Sequence, residues 1–251
     1  MQYEPTSGDF LGLCTDDLIA RLRYRGNVCI SGLSAAGKTT HAHLLAGEFG
    51  LTHVSGSQIQ FSFMGLSPVQ PRDFWISSAA KALWNREQFE RIDTELLRLE
   101  ATGEGYIFDT STMPWRHRRP ALCIWLESSM ESRVIKSIVS HRGTSKCAPK
   151  EYLEKIIEKD EATLELYRDL YGISIGKDLA CFDIIMDISA LIETPTLEAS
   201  LRSIGAVHAF LRTAVGWYLT GDAKFIEQME RASISCAHLI KRNRLLDPCT
   251  D

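Results

Sequence analysis

The chain has 251 residues, 45% of them apolar and 24% charged, with a formal net charge of −4, a balance typical of a folded globular protein. The negative balance argues against general adhesion to nucleic acid or to an anionic membrane, both of which reward a basic surface, and no apolar run approaches the roughly 20 residues of a membrane span. The seven cysteines show no Cys-x-x-Cys pair, so neither a disulfide framework nor a zinc site is expected and a reducing cytoplasm follows; residues 1–9 are polar and acidic rather than leader-like.

In chain order, Thr15, Asp16 and Asp17 ahead of Leu18, Ile19 and Leu22 predict a short capped helix closing near Gly26. The apolar run 27–31 feeding into Gly32 predicts a buried strand, and Ala42, Leu45, Ala46 and Phe49 recur at helical spacing before Gly50. Residues 51–54 form a second candidate strand. The stretch 55–72, with two prolines and two glycines, reads as an irregular segment facing a substrate. A long helix is predicted over 77–103, carried by Ala80, Leu83, Trp84, Phe89, Ile92, Leu96 and Leu99. Strands follow at 106–108, ending on Asp109, at 121–126 and at 182–188, with helices over 129–141, 150–170 and 196–213. Strand–helix alternation implies one α/β domain, a parallel sheet with helices on both faces. Its core covers about residues 27–215, and a C-terminal helical extension over about 216–245 either caps the domain or mediates a homodimer contact.

The octapeptide Gly32-Leu33-Ser34-Ala35-Ala36-Gly37-Lys38-Thr39 matches G-x-x-x-x-G-K-[ST] without deviation. Its glycines let the backbone fold back and turn successive N–H groups, those of Ser34, Ala35 and Ala36 among them, toward phosphate oxygens. The helix opening near Lys38 adds the positive end of its dipole. Lys38 brings a cation to the β- and γ-phosphates, and the Thr39 hydroxyl suits Mg²⁺. Because the motif follows an apolar strand and opens an amphipathic helix, a bound nucleoside triphosphate is expected here, with Mg²⁺ and ATP as the cofactor pair.

With that loop in hand, the chain resembles the P-loop nucleoside monophosphate kinases, and among them the cytidylate kinases. The points of likeness are I-S-G-x-x-x-x-G-K-T-T, ending at Thr40, V-S-G-S at 54–57, I-W-L-x-x-x-x-x-x-R ending at Arg133, Y-R-D-L-Y-G-I-S-I at 167–175 and F-D-I-I-M-D-I-S ending at Ser189. The resemblance implies the P-loop NTPase fold with a five-stranded parallel sheet, and a lid that closes over ATP and excludes water. It also implies lid arginines at Arg133 and Arg142, which neutralise charge on the transferred group, and a place for Ser189 near the adenine. The chain departs from that family where an acceptor phosphate is usually gripped: no arginine stands near Gln60 or Phe61, none follows Asp109, where Thr110 and Ser111 stand, and Leu164 occupies a frequent arginine position.

Asp109 closes a strand beside the phosphate loop, where α/β sheets place their ligands. It suits either a Mg²⁺-bound water or a hydrogen bond from an attacking hydroxyl. Phosphotransfer to a small molecule, either a nucleotide or a hydroxyl-bearing nucleoside or related metabolite, is the reading that results. A catalytically silent nucleotide-binding regulator and a kinase acting on a modified base in DNA are the alternatives. Trp75, Trp115 and Arg116 are candidates for stacking on an acceptor. Residues 116–119 are otherwise read as a solvated loop, and Lys150, Lys155 and Lys159 as exposed partners of Glu151, Glu154 and Glu158.

Overall fold

The computed structural model describes residues 26–63, 65, 85–103, 105–141 and 148–246. The elements are β1 (Asn27–Ser31), α1 (Lys38–Phe49), β2 (Thr52–Ser55), α2 (Gly56–Phe63), α3 (Arg86–Thr102), β3 (Tyr106–Asp109), α4 (Met113–Arg116), β4 (Ala121–Glu127), α5 (Met130–Ser140), α6 (Pro149–Tyr171), β5 (Ile184–Asp187), α7 (Leu197–Thr220), α8 (Ala223–Ser235) and β6 (Ile240–Asn243). The strands form one sheet in the order β2-β3-β1-β4-β5-β6. The pairs up to β4–β5 are parallel and β6 runs antiparallel to β5.

Alternation along β1 divides the core, because successive side chains leave a strand on opposite faces. Val28 and Ile30 point to one face, where Leu45 and Phe49 of α1, Phe210 of α7 and Phe225 of α8 close over them. Cys29 points to the other, with Phe89 and Leu96 of α3, Phe108, Trp125, Tyr167 of α6 and Phe182. Both layers are dry: Val28, Cys29, Ile30, Phe108 and Phe182 are each 0% exposed. The cysteines inside these runs, Cys29, Cys123 and Cys181, are free thiols, acting as small apolar side chains.

Several expectations need correction. The segment after β2 is not irregular throughout: α2 starts directly from the strand and buries Gln60 and Phe61. The described part of the long helix begins at Arg86, where the Asn85 side chain accepts the Gln88 N–H at 3.1 Å, a regular N-cap. Ser77, Ala80, Leu83 and Trp84, like Trp75, lie outside the described residues, as does the helix expected over residues 15–25. Helix α7 continues to Thr220, beyond the expected residue 213, because Ala214, Val215 and Leu219 keep burying the same face; left-handed Gly221 stops it. The extension is also not all helical. After α8 it returns as β6, whose Lys241 bridges Glu127 at 2.7 Å and Asp187 at 3.0 Å. A lysine on an outer strand also discourages further strand pairing. The expected five parallel strands are present, and β6 makes a sixth.

Among the described residues, no helix is long and apolar enough to cross a membrane.

The contact between α7 and α8 has little tolerance. A Cβ at Gly216 would stand 2.5 Å from Phe225 Cδ1 and Cε1, on a ring that is 0% exposed. Gly216→Ala is expected to lower stability by about 1–3 kcal/mol despite alanine's better helix propensity; urea unfolding gives the value, and an unchanged midpoint would mean that this contact yields freely.

Candidate active site

The strand order reverses at β1, whose neighbours β3 and β4 lead the chain to opposite sides of the sheet. Ligands of open α/β sheets sit outside the carboxyl ends at such a switch. The phosphate loop leaves β1 here, and Asp109 closes the neighbouring strand in register with Ile30. Sequence and topology therefore converge on one point.

The loop takes a backbone path that few residues tolerate. Gly32 has φ 155°, Gly37 φ 107° and Ala35 φ 60°; Ala35 is a non-glycine residue in the left-handed region, a costly conformation common where a loop is shaped for a ligand. A Cβ on Gly32 would meet the Leu126 carbonyl oxygen at 2.5 Å, so only glycine lets the loop cross the sheet's edge this closely. Lys38 Nζ folds back onto the loop, donating to the carbonyls of Gly32 and Leu33, both at 2.9 Å. Lys136 of α5 donates to the Ala36 carbonyl at 3.3 Å and to Ser128 Oγ at 2.9 Å. Thr40, the residue after Thr39, also lines the cleft.

A second clasp holds the loop from α5 and α6. Arg133 and Asp160 form a buried ion pair. Arg133 Nη1 also donates to the Ser34 carbonyl at 3.2 Å, and the Ser34 N–H donates to Asp160 Oδ1 at 3.0 Å. Arg133, expected as a lid arginine, is thus engaged at the loop, while Arg142 lies outside the described residues. Ser189 donates to Asp187 Oδ1 at 2.6 Å and accepts the Ser129 N–H at 2.8 Å. It is Ile188 and Ile192, on either side of it, that line the cleft.

Thr39 Oγ1 donates to Asp109 Oδ2 at 2.5 Å, so two hard oxygens converge beneath the loop. His53 Nε2 of β2 stands 3.8 Å from the same Asp109 oxygen, too far for a hydrogen bond but close enough for its dipole or charge to act. Burial alone would push the Asp109 carboxyl up; His53, the Lys38 ammonium and the Thr39 hydroxyl outweigh it and hold the group below the usual carboxylate range. Sequence reasoning passed over His53, whose only signal is its place on the strand beside β3.

The loop, Lys38, Thr39, Asp109, Lys136 and Asp160 face one cleft of about 890 Å³, within the range of small-molecule sites. Helix α6 runs along it, and the row it presents changes character. Tyr152 and Ile156 line one end, Lys155, Lys159 and Asp160 the middle, and Thr163, Leu164 and Tyr167 the other. From Tyr152 to Tyr167 the axis advances roughly 22 Å at 1.5 Å per residue. Lys155 and Lys159, read as exposed, both line the cleft; Lys150–Glu154 at 3.8 Å is an exposed pair, and Lys155–Glu158 at 3.6 Å is half-buried. At the far end the walls come from Phe61 of α2, Phe89, Ile92 and Leu96 of α3, and Thr110, Ser111 and Thr112 after β3.

Trp115 and Arg116 do not line this cleft. Trp115 Nε1 donates to the Asp178 carbonyl at 3.2 Å and its ring meets Phe182 edge-on. Arg116 Nη1 stands 2.9 Å from Asp93 Oδ2, with its guanidinium 4.0 Å above the Tyr171 ring. His41 and His43 of α1 face apart: His41 is buried and stacks on His208, and His43 is exposed.

No protein-family model matches the chain. It is 27% identical over 175 residues to a cytidylate kinase of Pyrobaculum aerophilum, covering 69% of this chain and 90% of that protein. It is 28% identical over 168 residues to a cytidylate kinase of Methanococcus maripaludis, covering 64% and 88%. A shikimate kinase structure from Acinetobacter baumannii, in complex with shikimate, is similar at 14% identity and a TM-score of 0.38 over 78% of this chain and 97% of that one.

The lysines around the loop make ligand binding depend on pH. Burial pulls both Lys159 and Lys136 down to about 8; Lys38 lowers Lys159 further against Asp160 and Asp109, and Arg133 lowers Lys136 further against Asp187. A polyphosphate favours the protonated forms, so affinity is full below pH 8 and falls as pH rises through it. The dissociation constant of ATP is expected to rise roughly tenfold or more from pH 7.5 to 9.5, with a shallower rise in Lys159→Met. A flat fluorescence-titration profile would contradict this.

Proposed function

We propose that the chain is a P-loop kinase, an ATP- and Mg²⁺-dependent phosphotransferase that moves the γ-phosphoryl group to a nucleotide, a nucleoside or a related hydroxyl compound. The observation that carries this reading is the placement of Asp109 in the same cleft as the phosphate loop, with Thr39 bonded to it at 2.5 Å. The cytidylate kinase relatives support the same class of acceptor.

In this reading the amides of Ala35 and Gly37, with the head of α1, hold the β-phosphate region of ATP, joined by those of Ser34 and Ala36 when they exchange Asp160 and the Leu33 carbonyl for phosphate oxygens. Gly32 supplies the turn, and Thr40 stands at the same mouth. Lys38 leaves the Gly32 and Leu33 carbonyls for the β- and γ-phosphates. Ser34 is pinned from both sides by Arg133 and Asp160, so the loop is shaped before its ligand arrives. Arg133 supplies positive charge to the transferred group when the polyphosphate competes with Asp160 for it. Arg142 is proposed for the same task. The base lies toward Ile188, Ser189 and Ile192.

The converging oxygens of Thr39 and Asp109 fit Mg²⁺, a hard cation that takes few protein ligands and keeps water and phosphate oxygens for the rest. Bound there, it would neutralise charge on the β- and γ-oxygens. Asp109 also orients the acceptor by accepting its hydrogen bond. The clustered lysines and the cover of α5 and α6 exclude water, which favours transfer over hydrolysis. We propose that residues 26–246 act as one domain, its extension closing the α1–α7 face.

Two substitutions test the assignment. Lys38→Ala is expected to abolish transfer, and Asp109→Asn to lower kcat by about two powers of ten or more, both with folded circular-dichroism spectra. ATP consumption measured against nucleoside monophosphates, nucleosides and sugar-like alcohols supplies the assay. Undiminished turnover by Lys38→Ala would remove the reading.

A further inference from the structure

The charge along the cleft narrows the acceptor, an inference that rests on the phosphotransfer reading above. Four lysines, Lys38, Lys136, Lys155 and Lys159, line the part of the cleft on the phosphate loop's side of Asp109. Beyond Asp109 the chemistry changes. The apolar walls are Phe61, Phe89, Ile92 and Tyr167, each less than 10% exposed, and the polar ones are the neutral groups of Ser57, Gln58 and Ser111. Among the described residues lining that end there is no arginine or lysine, and Asp109 is its charged group.

The neighbouring arginines are turned elsewhere. Arg91 of α3 lies 4.4 Å over the Phe63 ring. Arg116 is held by Asp93 and Tyr171, behind the cleft wall. Leu164 of α6, which also lines the cleft, presents hydrocarbon beside Thr163 and Tyr167.

A phosphate monoester carries nearly two negative charges near neutral pH. Enclosed, it requires cations and charge-assisted hydrogen bonds. The phosphate loop's end of the cleft meets that demand and, among the described residues, the far end does not; it would instead set the dianion near the Asp109 carboxylate. An alcohol makes the opposite demand: a carboxylate to accept its hydrogen bond, neutral donors and acceptors for the rest of the molecule, and flat apolar walls for a ring. We infer that the acceptor is an uncharged nucleoside, phosphorylated on a sugar hydroxyl. The hydroxyl oxygen forms a bond to the γ-phosphorus of ATP, and the bond from that phosphorus to the β–γ bridging oxygen breaks. ADP departs with the electron pair and the hydroxyl proton is released to solvent.

The test is ADP formation at saturating Mg–ATP with ribo- and deoxyribonucleosides, each against its own 5′-monophosphate. At least one nucleoside is expected to be turned over with kcat/KM about a hundredfold or more above its monophosphate, the scale of discrimination that an unpaired enclosed charge imposes. A monophosphate preferred over its nucleoside overturns the inference and leaves the kinase reading standing. No turnover of either class, in a sample that binds ATP, overturns both. Leu164→Arg, at a half-buried position, adds a cation to the chamber and is expected to shift the preference toward the monophosphate by about tenfold. A folded variant with unshifted preference counts against charge as the discriminating property.

Discussion

The structure depends on a short stretch of backbone held in a shape that free peptide avoids. Between β1 and α1 the chain passes within contact of β4, turns through a left-handed alanine and starts a helix at Lys38. The turn runs straight into the head of α1, and the helix adds its dipole there. Neither survives without a rigid frame, and the frame is the dry sheet core under it. β1 lies between β3 and β4, and every one of its residues is buried. Strain at the loop persists because the surrounding structure over-determines it.

From that fixed point the cleft is graded. Amides and lysines stand at one end, hydroxyls and rings at the other, and Asp109 lies between them. Helix α6 spans the gradient with one broad face, from Tyr152 to Tyr167. The Arg133–Asp160 pair ties this helix and α5 to the loop through both main-chain groups of Ser34. A buried pair adds little net stability, but removal of one partner leaves a buried charge. The pair therefore serves to set where α5 and α6 stand relative to the loop, and that setting decides where the gradient changes sign.

Much of this was legible in the sequence. The loop was, because its chemistry demands glycine, lysine and threonine at fixed spacing and its context of strand and helix is local. The five parallel strands were, because buried strands are continuous apolar runs. The place of Asp109 was, because an apolar run that closes on a carboxylate marks the carboxyl end of a buried strand. What escaped depends on tertiary facts. Lys159 follows Glu158 and reads as surface ion pairing; which side of α6 meets the cleft is set by the packing of Tyr152, Ile156 and Tyr167, not by charge pattern. Strand β6 is four residues long with two adjacent cations, too short and too polar to stand out until β5 offers an edge. Helix α2 begins at Gly56, a residue that usually signals the opposite, and gains its stability from burying Gln60 and Phe61. Trp115 and Arg116 looked available for stacking because sequence does not reveal that Phe182, Asp93 and Tyr171 already hold them.

The most direct measurement is calorimetric titration of ATP with Mg²⁺ into the folded chain near neutral pH. The account predicts saturable heat at one site per chain, with a dissociation constant on the order of micromolar to tens of micromolar. A sample with an intact circular-dichroism spectrum that gives no heat of association with ATP or any other nucleoside triphosphate would contradict it.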